Sequence, residues 1–82
     1  MKGSVVGINN RNGWVAVKLS NDECSIFEPL GGYSVEVGDV ISGEIDDVGS
    51  GCAYNHSQEE EMDIMVEFTS LSLSQVKGKL FP

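Results

Sequence analysis

Residues Val35-Glu36-Val37-Gly38-Asp39-Val40-Ile41-Ser42-Gly43-Glu44-Ile45 combine an extended approach, a Gly-Asp turn and a strand that carries its own glycine. The pattern suits a small β-barrel, whose chain must turn sharply and then cross a curved wall: glycine admits both the tight turn and a close backbone approach. Ile41, Gly43 and Ile45 share one face of the strand, and Gly43 is expected to mark a bend or a close contact.

The rest of the chain supplies strands to match. In Ser4 to Ile8, Ser4, Val6 and Ile8 face one way and Val5 and Gly7 the other, with apolar residues on both faces. Asn9-Asn10-Arg11-Asn12-Gly13 closes a hairpin, being dense in residues that tolerate left-handed φ. From Trp14 to Leu19 the alternation is clean, with Val15, Val17 and Leu19 against Trp14, Ala16 and Lys18. Lys18 marks the second face as solvent and puts Trp14 outside or at a rim. Ser20-Asn21-Asp22 turns the chain into a strand from Glu23 to Glu28, in which the facing of the adjacent Ile26 and Phe27 is open, and Pro29 with Gly31-Gly32 ends it. Tyr33 to Val37 crosses back, and Val40 to Asp46 makes the fourth strand.

Val48 to Glu61 has no periodicity and reads as a loop, far longer than the roughly four to six residues of most compact connections. Met62 to Phe68 is the fifth strand, with Met62, Ile64, Val66 and Phe68 on one face. In the tail, Ser72-Leu73-Ser74-Gln75 fits a capping box and Leu73, Val76 and Leu80 fall on one helical face. A short helix laid over a barrel end is favoured there, although Leu71 and Leu73 alternating with serines also permit a strand. The expected fold is all-β: a five-stranded, OB-like antiparallel barrel with a short C-terminal helix. It forms a single domain over residues 1–82, with the barrel in 2–68 and the tail in 69–82.

A domain of this size buries only about 60% of the surface its unfolded chain exposes. Thirteen acids against five bases give a net charge of −8, which on balance repels a phosphate backbone. Cys24 and Cys52, with His56 as the single histidine, fall short of any zinc spacing and are expected to be reduced thiols. No segment approaches the roughly 18 apolar residues of a membrane span, and a cytoplasmic protein is expected.

Lys2-Gly3-Ser4-Val5-Val6-Gly7-Ile8-Asn9, Asn12-Gly13-Trp14-Val15-Ala16-Val17 and Ser25-Ile26-Phe27-Glu28 resemble the first three strands of cold-shock domains. The chain also resembles a group of short bacterial proteins with the same strand order and the same Ile26-Phe27-Glu28 and Gly38-Asp39 elements. The resemblance implies a surface on which single-stranded nucleic acid stacks on aromatic residues of strands two and three, set among lysines. Trp14 and Phe27 stand at such positions, whereas Val15 and Ala16 replace a glycine and a second aromatic, and Glu28 adds negative charge.

Nothing in the sequence forms a catalytic constellation, a cofactor loop or a metal-ligand pattern, and a non-enzymatic protein without cofactor is expected. Glu59-Glu60-Glu61 with Asp63 lacks the alternation of a calcium loop. The candidate binding surface comprises Trp14, Lys18, Phe27, Tyr54 and His56, and a protein partner or a second copy of the chain is the expected ligand. Single-stranded nucleic acid is the alternative, disfavoured by net charge and by the scarcity of exposed aromatics.

Overall fold

The computed structural model describes residues 1–82. Six strands and one helix follow in order: β1 (Lys2–Asn9), β2 (Trp14–Leu19), β3 (Cys24–Pro29), β4 (Val40–Gly43), β5 (Gly49–Asn55), β6 (Glu60–Leu71) and α1 (Leu73–Leu80). The strands close into a barrel in the order β1-β2-β3-β6-β5-β4, every neighbouring pair antiparallel. Closure is made where β1 meets β4, with Gly3 opposite Ile41. The all-β barrel with its C-terminal helix is thus as expected, but with six strands rather than five.

The additional strand, β5, lies inside the stretch expected to be a loop. Its inward positions are Gly49, Gly51, Ala53 and Asn55, small or polar residues that show no hydrophobic alternation, yet it pairs with β6 along its whole length. The strongly alternating β6 supplies the apolar surface for both, through Met62, Ile64 and Val66.

Three bulges decide which way the side chains face. Val5 pairs with Val17 and Gly7 with Ala16, so Val6 is an extra residue and points to solvent instead of sharing a face with Ile8. On β6 the pairs Phe27–Val66 and Ile26–Phe68 leave Glu67 over, and this switches Phe68 from the inner face to the outer one. A third irregularity separates Ile26–Phe68 from Cys24–Leu71, beside Ser70 at a φ of 56°.

Two apolar clusters result. The barrel interior holds Val5, Val15, Val17, Leu19, Phe27, Ile41, Ile45, Ala53, Met62, Ile64 and Val66. A second cluster lies outside the wall, where α1 covers Ala16, Cys24 and Ile26 with Val76 and Leu80, joined by Leu71. The helix therefore packs on the barrel wall rather than over its end, and the face of β2 expected to be solvated is covered at Ala16, which is fully buried. Eight residues are too few for an isolated helix, so packing and capping must hold it. The expected capping box is formed, with the Ser72 backbone N–H donating to Gln75 Oε1 at 2.8 Å, while Asn9 Nδ2 donates to the Leu80 carbonyl at 2.8 Å at the other end. Leu73, expected on the buried face, is 55% exposed.

The turn before β4 behaves as its sequence suggests. Gly38 has a φ of 96°, and Asp39 Oδ2 accepts the Glu36 backbone N–H at 2.9 Å. Gly43 has a φ of 125°, and a Cβ there would lie 2.6 Å from the Cys52 carbonyl oxygen, so it marks both a bend and a close backbone approach.

Candidate functional site

Two parts of the surface gather chemically distinctive side chains. The first surrounds α1. Trp14, half-buried at the start of β2, meets Phe68 edge-on with ring centroids 5.8 Å apart, and the Lys79 ammonium sits 5.3 Å from the centroid of the same Phe68 ring. Next to this stack, Val6, Gly7, Leu73, Val76, Leu80 and Phe81 line a groove of about 270 Å³ between β1 and α1, with Lys77 on its rim. Three of its side chains are unusually open for large apolar residues: Val6, Leu73 and Phe81. The Val6 bulge pushes one wall outward and the helix supplies the other.

The second part lies on the outer face of β4 and β5. Pairing of Ser42 with Tyr54 brings the start of the β5–β6 turn beside β4, where Ser42 Oγ and His56 Nε2 are 2.7 Å apart. Tyr54 packs edge-on against the imidazole at a centroid distance of 4.8 Å. A hydroxyl within reach of an imidazole is the first half of a nucleophile–base pair, but catalysis also needs a group to orient the base and donors for a developing oxyanion. Neither Ser42 nor His56 lines any of the five surface cavities, and the histidine is exposed.

Beneath this pair runs a buried polar network. Asn55 Nδ2 donates to Asp39 Oδ2 at 2.9 Å, while Asn55 Oδ1 accepts the backbone N–H groups of Ser57 and Gln58. Gln58 Nε2 reaches Glu36 Oε2 at 3.0 Å and Asp39 Oδ2 at 3.2 Å. Burial pushes the Asp39 carboxyl up, but the donors from Asn55, the Glu36 backbone and Gln58 outweigh it and hold the group below its ordinary value. This network fastens the β5–β6 turn to the Gly-Asp turn, which is a structural task.

The thiols are not activated. Cys24 is buried beneath α1, and burial raises its pKa against the opposing pull of Lys18. Cys52 is raised by desolvation and by the carboxylates of Asp63, Glu44 and Glu61, which disfavour a thiolate. No group of three or more His, Cys, Asp or Glu side chains is arranged to hold a metal ion.

The five residues expected to form one binding surface do not. Phe27 is fully buried in the barrel interior, because its pairing with Val15 and Val66 turns it inward, so it offers no ring for stacking. Lys18 lies at the far end of β2 from Trp14 and pairs with Asp22 at 3.6 Å, an exposed contact of small energetic weight. Tyr54 and His56 are together but sit on the β4–β5 face, while Trp14 belongs to the α1 face.

The local sequence pattern does not single out Phe68, Val6, Leu73, Phe81, Lys77 and Lys79, although the order of charges carries one signal for this part of the surface. All thirteen acids fall between Asp22 and Glu67, while all five bases lie outside that interval, at Lys2, Arg11, Lys18, Lys77 and Lys79. The fold puts the two basic ends side by side, since α1 packs on β1 and β2. Arg11 belongs to the β1–β2 turn, where its backbone N–H donates to Asn9 Oδ1, and Asn9 in turn holds the end of α1. On a protein of strongly negative net charge, Lys77 and Lys79 thus stand directly against apolar and aromatic side chains. Comparison with protein-family models, with curated proteins and with solved structures gives no match for this chain.

Proposed function

We propose that this chain is a non-catalytic protein-interaction module that docks its partner on the face formed by β1 and α1. The observation that carries the reading is the groove itself: exposed Val6, Leu73 and Phe81 converge on one depression with a lysine at its rim. Grouped open apolar side chains with a polar rim are the usual anatomy of a docking surface. Barrel closure favours a face over a strand edge as the contact, because the backbone donors and acceptors of the wall are committed to one another. The test is affinity capture by the wild-type chain and by a Leu73→Asp/Phe81→Asp variant. A protein retained by the first and lost from the second is expected; identical retention by both would overturn the reading.

A second reading draws on Trp14, Phe68 and Lys79, an aromatic pair with a cation over one ring, which suits single-stranded nucleic acid. Quenching of Trp14 fluorescence by a mixed-sequence oligonucleotide at low salt would favour it. No quenching at high micromolar concentrations would end it.

A further inference from the structure

We propose that the partner seated on this groove is a second copy of the chain, which inserts its β4–β5 loop head to tail; the inference rests on the interaction-module reading above. Val48 at 67% is the most exposed of the chain's large apolar side chains. It follows Asp46 and Asp47 directly, with Glu44 just before them, so the loop presents one aliphatic knob in a collar of carboxylates. The groove between β1 and α1 is its complement: an apolar depression rimmed by Lys77, with Lys79 two residues on along the helix.

The loop is held in shape before any contact. On one side of Val48, Ile45 is fully buried in the barrel interior and the Glu44 backbone N–H donates to the Cys52 carbonyl at 3.0 Å. On the other side, Gly49 is already paired with Val66 in the sheet. A knob fixed at both ends loses little conformational freedom on docking, which favours association by a small contact.

Loop and groove sit at different places on the wall. The loop leaves β4 where the Gly43 backbone N–H meets the Met1 carbonyl, at the start of β1, whereas the groove opens at the Val6 bulge and the end of α1. In the head-to-tail contact proposed here, each copy that fills a groove leaves its own groove and another loop free, and short linear assemblies follow. The net charge of −8 on every copy opposes the approach, so the association is weak and must depend on the local complementarity of loop and rim.

Salt screens the local attraction and the overall repulsion alike, so charge reversal is the sharper test. Sedimentation of the wild type should show an average mass that rises with concentration. Lys77→Glu/Lys79→Glu and Asp46→Lys/Asp47→Lys, all at solvent-exposed positions, should each weaken this by about tenfold or more, and Val48→Ser should weaken it with no change in charge. An equal mixture of the two charge-reversed proteins should recover association, because the intact loop of the first meets the intact groove of the second. Far-UV circular dichroism and Trp14 fluorescence matching the wild type show that each variant is folded. A wild type that stays monomeric up to millimolar concentration, or a mixture no heavier than its components, overturns the proposal. If such a monomeric wild type still captures another protein that the Leu73→Asp/Phe81→Asp variant loses, self-docking is wrong and the interaction-module reading stands; if it binds only an oligonucleotide, both fail.

Discussion

One barrel wall carries two different outer faces. On β2 and β3 the outward positions Ala16, Cys24 and Ile26 are fully buried, because α1 lies across them. On β4, β5 and β6 the corresponding outward positions are Ser42, Cys52, Tyr54, Asp63 and Met65, polar or only half-buried, with nothing laid over them. An eight-residue helix thus divides a single sheet into a part buried on both faces where the helix lies and a one-sided part that alternates. The division is only partly one of charge: α1 and β2 carry Lys77, Lys79 and Lys18 and no acid, whereas β3 carries Glu28 and β6 carries Glu60, Glu61, Asp63 and Glu67.

The comparison breaks most readily at Ile26 and Met65, one outward apolar residue from each part. Ile26→Ala should cost about 2–5 kcal/mol, since it empties the seat of Val76 and Leu80 as well as removing its own buried surface. Met65→Ala, half-buried on the bare face, should cost about 1 kcal/mol or less. Urea unfolding measures both, and equal losses would mean that the helix does not cover the wall.

Glycine substitutions should move the two parts in opposite directions. Gly43→Ala adds a Cβ that would lie 2.6 Å from the Cys52 carbonyl oxygen at a positive φ, and should destabilise by about 1–3 kcal/mol. Gly78 lies in α1 with nothing within 4 Å of the position a Cβ would take, so Gly78→Ala should stabilise by about 0.5–1 kcal/mol through helix propensity. Thermal unfolding of the two variants gives the sign directly.

How far these features can be read from the sequence depends on where the information resides. The alternation of Val15, Val17 and Leu19 is a property of one strand, and so is that of Met62, Ile64 and Val66, and both are legible. A bulge belongs to a pair of strands. The inward turn of Phe27, the outward turn of Phe68 and the exposure of Val6 follow from cross-strand register, which no single stretch of chain records. β5 is not legible for another reason: its inward glycines and alanine carry too little apolar surface to give a period, and it relies on β6. The Ser42–His56 contact spans fourteen positions and exists only because β4 pairs with β5. The grouping of all five bases outside residues 22–67 is the opposite case, legible in the order of residues and lost in their sum.

The bare part should also have its own pH dependence, centred on Asp39. Its carboxyl is held below the ordinary value in the folded state, so the ionised form favours folding. That stabilisation is complete above the unfolded pKa of about 3.9 and is lost as pH falls through the lower folded value. Asp39→Asn should flatten this acid limb while lowering stability near neutrality, because the new amide would face the Asn55 donor. Parallel acid limbs in stability measured from pH 6 to pH 2 would show that the network does not sense protonation.

The smallest effect is expected inside the barrel, at Ser25. Its hydroxyl is fully buried on the inner face opposite Val17 and has no hydrogen-bond partner, the one such side-chain group in the molecule. An unpaired buried hydroxyl has given up its hydration without return, so removing it restores that loss while deleting almost no packing volume. Ser25→Ala should therefore leave stability unchanged or raise it by about 1 kcal/mol or less. Cys24→Ala, on the neighbouring outward position under α1, should instead destabilise, because the thiol there fills space between the wall and the helix. The two substitutions are adjacent in sequence and remove one heavy atom each. If both proved neutral, the second cluster would be loosely packed; if Ser25→Ala destabilised, its hydroxyl would have a bonding role inside the barrel.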